Sequence, residues 1–203
     1  MKKLIIALIA AALMAAPALA ADIMLTTPQK DGGPSVLAAI EGRSSAAQTP
    51  FQKGELTVKE LSTLLWVATG RNRGGQGWTV PYAMGRDPYV NVYVMLKSGS
   101  YRYDTAKNML LLVGDKNDIS RAGTQSYVGT APCVLVFAVS GTLRMDAWGD
   151  VAAGAMTQNI YMAAEALGLK TRYVQSFNRN ALFNSLQIGP LGRILCIMPV
   201  GRQ

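Results

Sequence analysis

Residues 133–139 read CVLVFAV, seven apolar residues in a row, with Pro132 before them and Ser140-Gly141 after them. A short apolar run rich in β-branched residues and bounded by turn formers reads as a buried strand. A buried strand requires a sheet around it, and other segments supply strand patterns. Residues 89–96 (YVNVYVML) are β-branched and aromatic, and the turn Lys97-Ser98-Gly99-Ser100 leads into Tyr101-Arg102-Tyr103, which predicts a hairpin. Met109 to Val113 predicts a third short strand, and residues 170–174 and 193–199 predict two more.

Helix patterns lie between these runs. Ser35 is placed to cap a short helix through Glu41 that carries Val36, Leu37 and Ile40 on one face. Thr57-Val58-Lys59-Glu60 is a capping-box pattern ahead of Leu61, Leu64, Leu65 and Ala68, and Gly70 stands where the glycine that follows a helix would. Arg71 and Arg73 then complement the negative end of that helix. Asp150 is expected to cap a long helix, VAAGAMTQNIYMAAEALGL, closed by Gly168, and a small helix is expected near Asn180 to Leu186. Helices and strands without a repeated strand-helix-strand rhythm predict an α+β class.

The first twenty residues, MKKLIIALIAAALMAAPALA, combine two lysines, an apolar run and a small-residue end at Ala18-Leu19-Ala20. These are the parts of a secretory signal peptide, so the mature chain is expected to begin near Ala21 and to be periplasmic or secreted. The 183 residues left of 203 suffice for one domain, 21–203. No later run is long and apolar enough for a membrane span. The formal charge of +8 falls to +6 once Lys2 and Lys3 are set aside. That balance suits an anionic ligand or a dispersed solvated surface. Basic residues scattered singly in an exported chain do not point to nucleic acid.

The chain has no histidine, so His-based triads, bases and metal ligands are excluded. Cys133 and Cys196 form no metal pattern; in an oxidising compartment they could pair, or they could simply be buried. Gly70, Gly74, Gly75 and Gly77 invite a nucleotide reading, but they follow a helix rather than a strand, so the dinucleotide fingerprint fails on context. Arg43-Ser44-Ser45 places a guanidinium beside two hydroxyls where a helix ends. Such a group can hold a phosphate through charge-assisted hydrogen bonds, or can merely cap a turn. Trp66 is read as core or interface, Trp78 and Tyr82 as rings able to stack on a planar ligand, Gln158-Asn159 as helix packing, and Asp104 as the start of a turn.

Taken in order, VLAAIEGRSS, ELTVKELSTLLWVATGRNR, TVPYAMG, VNVYVML, SYRYD, CVLVFAV, GAMTQNIYMAAEALGLKT and the terminal MPVG resemble the nitroreductase family of flavoproteins, in particular its exported members. The resemblance spans nearly all of the mature chain. It implies an α+β fold with a central, mostly antiparallel sheet flanked by helices, an intertwined homodimer, and FMN bound at the dimer interface.

The family's phosphate motif is Arg-x-Ser-x-Arg/Lys; Arg43 and Ser45 match its first two positions, Ser44 lies between them, and the third position is Ala47. A second signature, Pro-Ser-x-x-Asn with a following Gln, corresponds to Pro81, Tyr82, Gly85 and Asp87, which removes the amide side chains that would meet a flavin. The glycine loop that faces the flavin ring in the family corresponds to Val174-Gln175-Ser176. Arg202 lies near the family's late basic residues, and Arg71, Arg73 and Arg86 match less well. Each charge-assisted bond lost at a phosphate is worth about 1.5 to 3 kcal/mol.

The resemblance thus implies an exported, FMN-dependent oxidoreductase that performs two-electron reduction or oxidation of a small planar substrate. The flavin carries the chemistry, no side chain is assigned a catalytic role, and the electron donor is unidentified. The alternative is a non-catalytic binding protein of the same fold whose flavin site is eroded at Ala47, Gly85 and Gln175. Mass spectrometry of exported protein is expected to give an N-terminus near Ala21; a retained Met1 would sink the signal-peptide reading.

Overall fold

The computed structural model describes residues 20–140 and 146–203. The signal peptide expected over residues 1–20 lies outside the described residues but for Ala20.

A seven-stranded sheet forms the centre. Its strands are β1 (Ile23–Met24), β4 (Val90–Leu96), β5 (Gly99–Asp104), β6 (Met109–Gly114), β7 (Cys133–Val139), β8 (Lys170–Thr171) and β9 (Arg193–Gly201). They are ordered β1-β6-β5-β4-β7-β9-β8, and every neighbouring pair is antiparallel. The helices are α1 (Val36–Gly42), α2 (Val58–Thr69), α3 (Asp146–Ala166) and α4 (Arg179–Leu186). The α+β expectation with a mostly antiparallel sheet therefore holds.

The seven apolar residues of β7 are explained by what covers them. Cys133, Leu135 and Phe137 face one core with Leu64 and Leu65 of α2 and Met156 and Ile160 of α3. Val134, Val136 and Ala138 face a second core with Tyr93, Leu182 and Leu186. No residue from Cys133 to Ala138 is more than 1% exposed. Alternate side chains of a strand point to opposite faces, so only a strand covered twice can be apolar throughout.

The expected caps form at α1 and α2. Ser35 accepts from the Ala38 amide at 3.2 Å, and Thr57 and Glu60 form a complete capping box. Gly70 caps α2 in an extended conformation, φ −77°, rather than a left-handed one. Glycine is needed there because a Cβ would lie 2.3 Å from Trp66 Cδ1 and 2.7 Å from its carbonyl oxygen. In α1 only Ala39 is buried; Val36, Leu37 and Ile40 remain exposed, Leu37 at 79%. Residues 25–29 run across α2, where the Thr26 amide donates to Ser62 Oγ at 3.0 Å and the Gln29 amide to Thr63 Oγ1 at 2.9 Å.

Two expectations are corrected. The long helix begins at Asp146 instead of after Asp150, and Asp150 serves as the ion-pair partner of Arg193 at 3.0 Å. The strand expected over 170–174 stops at Thr171, since Arg172 Nε turns to the Ala46 carbonyl at 2.7 Å and the Tyr173 amide to Tyr161 at 2.8 Å. The glycine-rich segment after α2 is a small hairpin of β2 (Arg71–Asn72) and β3 (Gly77–Trp78), turned by Arg73, Gly74 and Gly75, all at positive φ.

Both cysteines are free and buried. Cys133 pairs with Val200, and Cys196 with Phe137, which separates them by four positions along the strands, roughly 13 Å at ~3.3 Å per residue. A disulfide cannot reach that far. Burial pushes both thiols up to about 12, with the Asp150 charge adding to the effect at Cys196. A raised native pKa stabilises the fold fully below the unfolded value near 9 and loses that contribution as pH climbs toward 12. The unfolding free energy from urea titration is accordingly expected to fall from pH 9 upward, by up to about 1.4 kcal/mol per pH unit per thiol, and the urea midpoint to fall with it. A thiol reagent at pH 8 is expected to label neither cysteine in native protein and both after unfolding. Native labelling, or a midpoint flat with pH, would contradict this placement.

Candidate flavin site

Arg43 is the residue that ends α1. Its amide donates to the Ala39 carbonyl at 3.0 Å, and its extended backbone turns the chain away from the helix axis. Its guanidinium carbon stands 4.8 Å from the centre of the Tyr161 ring of α3, a cation–π contact that holds the head group in place. Arg43 Nε is buried with no hydrogen-bond partner. A buried cationic donor without an acceptor is costly, and an anion at that position would satisfy it.

The Ser45 hydroxyl beside it is held from the same helix. Tyr161 Oη lies 3.0 Å from Ser45 Oγ and accepts from the Tyr173 amide at 2.8 Å. With that amide donating to it, the phenol can donate to Ser45 and leave the serine proton for a ligand. Ser44 and Ser45 are both exposed. A bridge between Ser45 and Thr171 ties the segment to the sheet edge, and the Ala46 amide donates to the Thr171 carbonyl at 2.7 Å.

Ala47, at the third position of the phosphate motif, is held by Gln203. Its amide donates to Gln203 Oε1 at 2.8 Å, and Gln203 Nε2 donates back to its carbonyl at 3.0 Å. Arg202 sits beside this contact but pairs with Glu60 of the α2 capping box. Gln175 is exposed, and its Nε2 donates to Tyr173 Oη at 2.7 Å. Arg43, Ser44, Ser45, Gln175 and Arg202 thus gather around Tyr161, Tyr173 and the ends of β8 and β9.

Pro81, Tyr82 and Gly85 form a second group beyond the far end of α2. Tyr82 is buried; its hydroxyl is 2.5 Å from Thr69 Oγ1, and the rings of Trp78 and Tyr89 meet it edge-on at 6.2 and 5.1 Å. Burial raises its pKa, against the pull of the Thr69 hydrogen bond. Its ring packs into the core and offers no open face. Trp78 carries Arg71 over its ring at 3.8 Å. Pro81 and Gly85 are exposed, Gly85 at φ +63°. Among the described residues no hydrogen bond or ring contact joins the two groups. Helix α2 from Glu60 to Thr69 separates Arg202 from Arg71 by about 14 Å at ~1.5 Å per residue.

Tyr161, Tyr173 and Gln203 were absent from the sequence reading. Each contributes through contacts more than ten residues away along the chain, apart from the Tyr173–Gln175 pair, and no local spacing announces them. Asn159 packs as expected, donating to the carbonyls of Val67 and Thr79 at 2.9 and 3.3 Å. Asp104 opens a turn by accepting from the Ala106 and Lys107 amides, both at 3.0 Å.

The antiparallel α+β fold thus places an arginine donor without a partner beside two exposed hydroxyls at the sheet edge. The Nitroreductase family model matches residues 40–202, and the chain belongs to that family, one of flavin oxidoreductases. A nitroreductase homologue from Methanocaldococcus jannaschii is 31% identical over 164 residues, which cover 73% of this chain and 82% of that protein. The crystal structure of a nitroreductase-type protein from Ralstonia eutropha JMP134 superposes with a TM-score of 0.80 at 32% identity, covering 89% of both chains. A nitroreductase-type protein from Desulfovibrio desulfuricans, solved in complex with FMN, shares the fold at a TM-score of 0.61 and 15% identity, covering 83% of this chain and 86% of that one.

Proposed function

We propose that this chain is an exported, FMN-dependent oxidoreductase that works as a homodimer and transfers two electrons to or from a small planar substrate. The observation that carries this reading is the buried Arg43 Nε without an acceptor, beside Ser44 and Ser45, in a chain of a flavoprotein family. The donors present fit a phosphate. Arg43 would hold it by charge-assisted hydrogen bonds, with Ser44 and Ser45 donating from their hydroxyls and Tyr161 fixing both the guanidinium and Ser45.

Bound FMN would supply the electron transfer, while the protein supplies its position and the access to one ring face. No side-chain acid, base or nucleophile is required, which suits a chain without histidine. Export limits the donor: outside the cytoplasm a quinone, a redox protein or another two-electron donor takes the place of a nicotinamide.

Two observations support the dimer. The Arg43 and Pro81–Gly85 groups do not meet within one protomer, so a pocket drawing on both needs a second copy. Val36, Leu37 and Ile40 of α1 are also exposed beside Arg43, an apolar face that a partner would cover. A second reading has its own observation. Arg202 is committed to Glu60 and Ala47 carries no charge, which leaves the phosphate a single well-placed cation and favours a non-catalytic binding protein.

The two readings part on FMN affinity. Arg43→Ala is expected to weaken FMN by about 10- to 150-fold, roughly 1.5 to 3 kcal/mol, while riboflavin, which lacks the phosphate, is nearly unaffected. Fluorescence titration of both ligands against both proteins makes the comparison. Equal weakening of the two ligands would overturn the assignment of Arg43, and failure of the unmutated protein to bind FMN would favour the second reading.

A further inference from the structure

We propose that the end of α4 and the bulged edge of β5 and β6 form a binding site for a small zwitterion of the free α-amino acid class. A cavity of about 250 Å³ opens there, on the face of the sheet opposite α2 and α3. No residue around it belongs to the Arg43 group or to the Pro81–Gly85 group. The volume lies just below the range of drug-sized ligands, so the occupant has few heavy atoms.

One buried group singles this cavity out. Ser100 lines it and is 1% exposed, and its Oγ has no hydrogen-bond partner among the described residues. A buried hydroxyl left unpaired is costly, and a polar atom of a ligand would pair it. Ser100 stands opposite Gly114 in the β5–β6 ladder, where a bulge leaves Val113 without a cross-strand partner. The Val113 carbonyl accepts from Gln187 Nε2, just past α4, which draws the helix end onto the strands. A Cβ at Gly114 would lie 2.9 Å from the Ser185 carbonyl oxygen and 3.8 Å from Ser100 Cβ. Glycine thus lets the last turn of α4 come up to Ser100.

Acceptors gather at that point. The Ser185 carbonyl belongs to the last turn of α4, whose terminal carbonyls lack helical amides and carry the negative end of the helix dipole. Asp118 is held next to it, since its Oδ2 accepts from Ser185 Oγ at 2.5 Å. With the Ser100 hydroxyl these make three oxygen acceptors, and an ammonium group has three N–H donors to offer them. Cations stand further out. Arg121 Nη1 is 3.6 Å from Asp118 Oδ1 with its side chain 65% exposed, and Lys116 is exposed at the same cavity. A guanidinium at the rim matches the paired oxygens of a carboxylate. Asp115 is exposed there too, so two carboxylates and two cations line the cavity and its formal charge balances. A simple cation would meet Lys116 and Arg121, and a simple anion Asp115 and Asp118. A molecule carrying both charges meets each group with its opposite.

This site does not rest on the flavin reading. Its residues lie on β5, β6, α4 and the turn that follows β6, whereas the Arg43 group lies past α1 and at the ends of β8 and β9, and the Pro81–Gly85 group lies past the far end of α2. Loss of FMN binding therefore leaves the zwitterion site as it is.

The test uses the purified protein with no flavin added, titrated at constant ionic strength with glycine, L-alanine and L-glutamine in turn while backbone amide signals are followed by NMR. The signals of Ser100, Gly114 and Asp118 are expected to shift saturably with at least one of the three. Acetate, methylamine and calcium chloride, which carry one charge sign each at the site, are expected to bind about tenfold more weakly or not at all. Asp118→Asn keeps an acceptor for Ser185 and is expected to weaken amino-acid binding by about tenfold or more, and Ser100→Ala by about fivefold. Ser100→Ala removes an unpaired hydroxyl, so the ligand-free variant is expected to melt no lower than the unmutated protein, which separates lost binding from lost folding. Arg43→Ala is expected to leave these responses in place. No saturable shift with any of the amino acids, binding of calcium or methylamine as tight as theirs, or equal binding by Asp118→Asn would overturn the proposal.

Discussion

Double burial of β7 is the constraint on which the rest of the structure depends. A strand whose two faces are both apolar needs a layer on each side, and the chain spends α2 and α3 on one face and α4 with Tyr93 and Tyr127 on the other. Strands β4 and β9 flank it over its whole length. With the core committed in this way, the described residues outside it include most of helix α1 and the loop after it, the β2–β3 hairpin and the loop after it, and the residues that follow β8 and β9. The exposed candidate contacts, Ser44, Ser45, Pro81, Gly85 and Gln175, lie on the loops that follow these elements. The rigid sheet sets where they stand, and their polar and charged side chains are left for other work.

Arginines in two environments show how the fold decides which cations are available. Arg202 follows β9 into the reach of Glu60, which is itself fixed by the capping box at Thr57. An exposed ion pair of this kind is worth little in stability, yet it keeps the cation engaged. Arg43 has only the Tyr161 ring, which steadies a guanidinium without accepting its hydrogen bonds. The residue that looks like one cation among several in the sequence thus has a buried donor, Nε, without an acceptor among the described residues.

Much of the fold was legible because its signals are local. The capping box of α2, the Ser35 cap, the hairpin of β4 and β5 and the central strand all follow from residues within a few positions of one another. The misses have long-range causes. Asp150 looks like a helix cap but pairs with Arg193, 43 positions away, and β8 is cut short by bonds from Arg172 and Tyr173 to residues 46 and 161. At the site, Arg43 and Ser45 stood out as residue types suited to phosphate. Tyr161, which orients both, sits inside a run of helix formers with nothing in its spacing to mark it. Tyr82 was read as a ring for stacking on a ligand, and only the packing of Trp78, Tyr89 and Thr69 around it shows that it belongs to the core.

The central claim is that FMN occupies a pocket anchored by Arg43 and completed by a second copy of the chain. Sedimentation velocity at micromolar protein with saturating FMN, recorded at the flavin absorbance, tests it most directly. Flavin absorbance is expected to move only at the sedimentation coefficient of the dimer. Flavin travelling with a monomer, or a dimer that carries none, would contradict it.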